Sequence, residues 1–210
     1  MALADNVLPI FPLRVVLFPK MMLPLYIYED PFKVMITDCV DDRNEFGVIL
    51  KLGGILHEVG CSADVAKVLA HHEDGRMHIM AGGKRRFRLT EQVGSEPYLK
   101  YRVEFLAEQT TEEKEASLPR KIDEVVKLYR EGIWVLKPKF QFEIADAARL
   151  EDFAFSLAPS TIPHLDVRQK ILEASNETDR LDVVIDYYRQ LLPDLRKLGG
   201  NGGRPSFITP

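Results

Sequence analysis

From Val7 to about Leu106 the apolar residues come in short runs, many alternating with polar ones, and Gly, Pro and acidic residues break the runs at intervals typical of strands. Strands are predicted over residues 8–13, 22–28, 46–52, 60–71, 76–81, 85–91 and 98–107. Such a series folds as an all-β barrel or a sandwich. Between two of these strands, Glu73-Asp74-Gly75 reads as a tight hairpin turn, because Asp-Gly tolerates positive φ. One helix interrupts the series: after Asp30-Pro31, the residues Phe32, Val34, Met35 and Cys39 have helical spacing, proline suits a first turn, and Asp41 to Asn44 end the run.

Beyond Thr110 the apolar period lengthens from that of a strand to that of a helix. Leu118, Ile122, Val125, Val126, Tyr129, Ile133, Trp134 and Leu136 share one face of a long helix that starts near Glu113 and closes before Pro138. A second helix carries Ile144, Ala147, Leu150, Phe153, Ala154 and Leu157, and Pro159-Ser160-Thr161 is expected to stop it. Asp166 and Gln169 have the spacing of a capping box and predict a short helix ending near Ala174. Asn176 with Asp179 opens the last helix, whose face is Leu181, Val184, Ile185, Tyr188, Leu191 and Leu192. Amphipathic helices on short loops form a bundle, so the fold class is α+β. The expected organisation is a β-rich part over 1–110, a helical part over 111–198 and a Gly-rich tail over 199–210.

Composition narrows the function classes. A chain of 210 residues with 46% hydrophobic positions can bury a proper core. Its 28 Lys and Arg against 32 Asp and Glu are spread evenly, which gives no support for a nucleic-acid or membrane-surface partner. Cys39 and Cys61 lie among apolar neighbours and read as free thiols in a reducing cytoplasm. No basic leader precedes an apolar run at the amino terminus, and no stretch of about 18 apolar residues offers a membrane span.

Leu8-Pro9-Ile10-Phe11-Pro12-Leu13-Arg14, Val16-Leu17-Phe18-Pro19 and Leu23-Pro24-Leu25-Tyr26-Ile27-Tyr28-Glu29 open the chain. They are followed by Glu45-Phe46-Gly47-Val48, Glu58-Val59-Gly60-Cys61, Asp74-Gly75-Arg76, Gly83-Lys84-Arg85-Arg86-Phe87-Arg88-Leu89 and Pro97-Tyr98-Leu99. This order resembles the Lon protease N-terminal domain family. The back half fits more loosely, through Arg168-Gln169-Lys170-Ile171-Leu172-Glu173 and Asp179-Arg180-Leu181. The resemblance implies a PUA-like β-barrel followed by a helical bundle, with a non-catalytic role in capturing unfolded or tagged polypeptides, as a short form without the motor and protease domains. Short members of that family often carry Arg and Tyr shortly after the position of Glu29, where Pro31 and Phe32 stand here, so any role of that Arg does not transfer. These residues hold no Gly-x-x-x-x-Gly-Lys-Ser/Thr phosphate loop, since Gly82-Gly83-Lys84 is continued by Arg85.

Local chemistry adds little to that reading. His71, His72, Glu73 and Asp74 with His78 have metal-ligand side chains, but neighbours on a strand point to opposite faces, so a solvated hairpin tip is the better account and no metal or cofactor is expected. Lys84, Arg85, Arg86 and Arg88 form a basic cluster without interleaved stacking platforms, which leaves RNA binding as an alternative only. Ser160 and Thr161 beside His164 read as loop and helix start rather than a catalytic set, and no catalytic residue is assigned. Trp134, Phe153 and Tyr188 are credited to a core.

The expected partners are unfolded or flexible polypeptides, or else a single folded protein, received on a shallow apolar groove of the barrel or between barrel and bundle. Candidate contact residues are Tyr26 and Tyr28, which alternate with Leu25 and Ile27, together with Arg14 and Glu29, for which a structural ion pair is the favoured alternative.

Overall fold

Apolar alternation at the amino terminus produces two strands, β1 (Val7–Leu13) and β2 (Met22–Ile27), ahead of helix α1 (Asp30–Asp42). Four more strands follow: β3 (Phe46–Leu52), β4 (Ile55–His71), β5 (Met77–Gly94) and β6 (Lys100–Phe105). The computed structural model describes residues 6–136 and 152–199. The chain divides into two compact units after Ala107.

In the first unit the strand order is β2-β5-β4-β3-β1-β6, and β6 pairs again with β5. Five strands therefore close into a ring, while β2 stands outside it on the first half of β5. β1 and β3 run parallel, joined by a crossover that contains α1; the other pairs are antiparallel. Leu8, Ile10, Ile49, Phe87 and Val103 pack inside the ring. Gly47 and Gly60 flank the Phe87 ring so closely that a Cβ at either would lie 2.7 Å from its Cζ. A single aromatic ring thus fills the space that two glycines vacate.

β5 replaces the two separate strands expected over 76–81 and 85–91. Glycine in a strand marks close backbone approach as readily as a break. A side chain on Gly83 would collide with the carbonyl oxygen of Phe18, and its backbone exchanges hydrogen bonds with Lys20 (2.9 Å) and Met21 (2.8 Å). β4 likewise starts earlier than residue 60, because Gly53 and Gly54, both at positive φ, make a two-residue turn from β3. The hairpin at residues 72–76 closes with Gly75 at φ +81, Gly75 N–H donating to His72 C=O and His72 N–H to Arg76 C=O.

The second unit contains α2 (Glu112–Leu136), α3 (Phe153–Thr161), α4 (Leu165–Glu173) and α5 (Glu177–Gly199). Expected helix residues 137–151 and the tail over 200–210 lie outside the described residues. α3 runs through Pro159 and ends at Thr161, the last residue of the expected stop, with Ile162 in extended geometry because Pro163 follows. The expected capping box at Asp166 is not formed: α4 begins at Leu165 with His164 as N-cap, two residues before Asp166, and Gln169 Nε2 donates to Glu173. Asn176 does cap α5, its Oδ1 accepting the Asp179 N–H at 2.9 Å. Ion pairs Lys114–Asp179, Lys121–Asp182, Glu124–Arg189 and Glu131–Arg196 advance together along α2 and α5, so these helices lie side by side and run parallel.

At the head of α5 the Arg180 side chain is 0% exposed. It pairs with Glu108, with Glu177 at 3.3 Å and with Asp152 at 3.8 Å, and its guanidinium lies 4.0 Å above the Phe155 ring. Burial pushes the Glu177 carboxyl above its usual range despite that cation.

Candidate functional site

β2 alternates, as half-buried strands do: Ile27 is buried and Leu23 and Leu25 partly so, while Met22, Pro24 and Tyr26 are exposed. Pairing with β5 places Tyr26 opposite His78, Pro24 opposite Met80 and Met22 opposite Gly82. The next strand supplies Ala70, Lys67 and Asp64 to the same rows. The first half of β5 and the last part of β4 thus extend beyond the ring with β2 beside them, and this three-stranded extension presents its outer face to solvent.

Three of the nine large exposed apolar side chains among the described residues lie on or beside this strand. Met22 is 51% exposed, Tyr26 41% and Tyr28 58%. The Tyr26 ring stacks on His78 (centroids 4.5 Å apart) and on Tyr28 (5.8 Å). Arg76 donates to the Tyr26 hydroxyl at 2.9 Å and pairs with Asp74 at 2.6 Å. Those bonds hold Arg76 above its ordinary pKa, Asp74 contributing most, and the Arg76 backbone N–H and guanidinium hold Asp74 below its own. Tyr26 is therefore held in place at an exposed surface, and an ordered, accessible ring offers contact area at little entropic cost.

The four candidate residues are not brought together as a set. Tyr26 and Tyr28 form the stacked pair, whereas Arg14 lies exposed in the bend after β1. Glu29 is exposed and caps α1 through its backbone carbonyl, which accepts from Phe32 and Lys33. Met22, Pro24 and His78 belong to the face and were missed by sequence reasoning; the alternation that singled out Tyr26 also contained Met22 and Pro24.

The other candidates resolve into structure. In the basic cluster Lys84 pairs with Asp64 at 2.7 Å, Arg85 pairs with Glu45 at 3.3 Å and covers the Phe105 ring, and Arg86 is buried rather than on a wet face as its alternation with Phe87 suggests. His72 meets His78 edge to face, and among the described residues no group of three or more His, Cys, Asp or Glu could hold a metal ion. Ser160 and Thr161 donate to the Leu157 carbonyl, and His164 Nδ1 lies 3.3 Å from the Tyr187 hydroxyl. Cys39 and Cys61 are free and buried, and burial pushes each thiol up to about 12. Phe153 and Tyr188 are core residues. Among the described residues no helix is long and apolar enough to cross a membrane.

Residues 7–190 match the family of the ATP-dependent protease La (Lon) substrate-binding domain. Among curated proteins, the Lon protease of Paraburkholderia phytofirmans is 31% identical over 199 residues, which is 88% of this chain and 24% of that protein. The Lon protease of Dictyoglomus thermophilum is 26% identical over 197 residues, covering 87% and 24%. The chain thus spans about a quarter (24%) of the length of these relatives. The fold is that of the N-terminal domain of Mycobacterium avium complex Lon protease (TM-score 0.66, 20% identity, 87% of this chain and 98% of that one). It is equally that of a Lon N-terminal domain protein from Xanthomonas campestris (TM-score 0.61, 20% identity, 86% and 98%).

Proposed function

The chain belongs to the family of the Lon substrate-binding domain, and on that premise we propose that it binds flexible or unfolded polypeptides on the outer face of β2, as an adaptor or holder without catalytic chemistry of its own. The observation that carries this reading is the grouping of Met22, Tyr26 and Tyr28, three large exposed side chains on β2 and the residue that follows it. Soluble proteins rarely gather exposed apolar area without a use for it, and an unfolded chain differs from a folded one in the apolar side chains it offers in return. The stack with His78 and the Arg76 hydrogen bond support the face in advance of any ligand. The match is to the substrate-binding domain alone, and the two free buried thiols suit a reducing cytoplasm.

The test is fluorescence anisotropy with a labelled, reduced and carboxymethylated polypeptide that cannot fold, against the same label on a native globular protein. Micromolar binding of the unfolded chain alone is expected, weakened about tenfold in a Tyr26→Ser, Tyr28→Ser variant. Equal affinity for both probes, or full affinity in the variant, would refute the assignment.

A further inference from the structure

β2 ends the strand order, so among the described residues only β5 pairs with it. Gly83 N–H donates to the Met21 carbonyl, which sets the parity of the ladder. Leu23, Leu25 and Ile27 then direct their backbone groups toward β5, and Met22, Pro24 and Tyr26 direct theirs away from the sheet. Proline has no N–H to offer, so the outer rim carries a donor and an acceptor at Met22, a lone acceptor at Pro24, and a donor and an acceptor at Tyr26. Proline at this position also discourages indiscriminate edge-to-edge pairing while leaving its flanks open.

Charge is distributed unevenly along the same strand. At the Met22 end lies an open cleft of about 510 Å³ lined by Lys20, Lys84 and Arg85 against Glu45 and Asp64. Gly82 forms part of its wall, where a Cβ would sit 2.9 Å from Asp64 Oδ1 and 3.6 Å from Met22 Sδ. Beyond the other end of β2, Asp30 pairs with Lys33 and Asp74 with Arg76, and Glu29, next to Asp30 in the chain, is exposed. The cleft thus brings three cations together with two carboxylates, Lys84 bridged to Asp64 and Arg85 to Glu45, so an entering carboxylate would join an existing ionic network.

Building on the reading of this face as polypeptide-binding, we propose that β2 receives an extended polypeptide segment as an added antiparallel strand, with an acidic side chain in the segment's carboxyl-terminal half seated in the Lys20–Lys84–Arg85 cleft. Antiparallel addition brings the carboxyl-terminal half of the guest to the amino-terminal end of β2, where the cations are. Main-chain bonds to Met22 and Tyr26 supply sequence-tolerant affinity, alternate guest side chains lie along Met22, Tyr26 and Tyr28, and the cleft sets polarity.

Two fluorescein-labelled, carboxyl-amidated nonapeptides of alternating apolar and polar residues test this on the full chain, one with Glu and one with Lys near the carboxyl end. Each is also made with its odd or its even amides N-methylated. Methylation of one parity should weaken binding by about tenfold and the other should leave it unchanged, since only alternate amides face β2. The Glu peptide should bind about fivefold tighter than the Lys peptide, and Lys20→Glu should reverse that order. Hydrogen exchange of the Met22 and Tyr26 amides should slow on binding.

Equal binding of both parities, or no binding of either peptide while the unfolded polypeptide still binds, overturns strand addition and leaves polypeptide capture standing. Equal binding of the Glu and Lys peptides overturns the cleft assignment. Failure of the unfolded polypeptide as well removes both readings.

Discussion

Among the described residues, the barrel buries Ser62 and Arg86 as its only polar side chains, whereas the helical unit buries Arg180, Gln169, Asn176 and Thr178. The difference follows from how each unit fixes its register. In the barrel, ladder pairing and the size of the inward side chains determine which residues meet, and Phe87 between Gly47 and Gly60 shows how little room remains. Two parallel helices can slide past one another at small cost in apolar contact. Directional bonds resist that sliding: Asp179 receives Lys114 Nζ at 2.9 and 2.8 Å and Asn176 Nδ2 at 2.7 Å, and Thr178 donates to the Lys114 carbonyl at 3.0 Å. A barrel held by its interior can leave β2 open to solvent, which is where the proposed function lies.

The contrast can be broken at several points, and the largest effect is expected inside the ring. Phe87→Ala should cost about 4 kcal/mol, read as a lowered urea midpoint of the barrel, because it empties a site closed on all sides. Arg180→Met should cost about 3 kcal/mol in the transition of Trp134 fluorescence, the single tryptophan reporting on the helical unit, since it strands the buried Glu177 without its cation. A neutral outcome there would show that the ion cluster is dispensable and the contrast false. Gly83→Ala should cost about 2 kcal/mol, because the Phe18 carbonyl is backbone and cannot swing aside.

A smaller effect separates the units by pH. Lys114 above all, and then Asn176, hold the Asp179 carboxyl below its ordinary value of 3.8. A carboxyl depressed in the folded state adds stability that is complete above the unfolded value and disappears as pH falls through the folded one. The helical unit should therefore weaken as pH drops below about 4. Asp179→Asn should lower its stability at neutral pH and flatten that acid loss, with Trp134 fluorescence in urea as the readout. The smallest change is expected on the open face: Tyr26→Ser with Tyr28→Ser should shift stability by no more than about 0.5 kcal/mol while weakening polypeptide binding about tenfold. A large loss of stability there would mean that the pair is structural.

The sequence by itself determined the element types, the change of period near Thr110 and the family, because alternation, helical spacing and an ordered series of local motifs are properties of near neighbours along the chain. Asn176 with Asp179 was legible for the same reason, as was the Gly75 turn. Contacts between distant residues were not. Gly83 fell between two expected strands until Phe18 was seen against it, Arg86 looked wet although it is buried, and α3 runs through Pro159 to Thr161, where Pro163 decides its end. Of the candidate site, Tyr26 and Tyr28 could be read from alternation. That β2 is the outermost strand, that His78 lies beneath Tyr26, and that Lys20, Lys84 and Arg85 share a cleft with Met22 depend on which strands pair. Strand order is set by packing across the whole unit, so only the tertiary structure decides it.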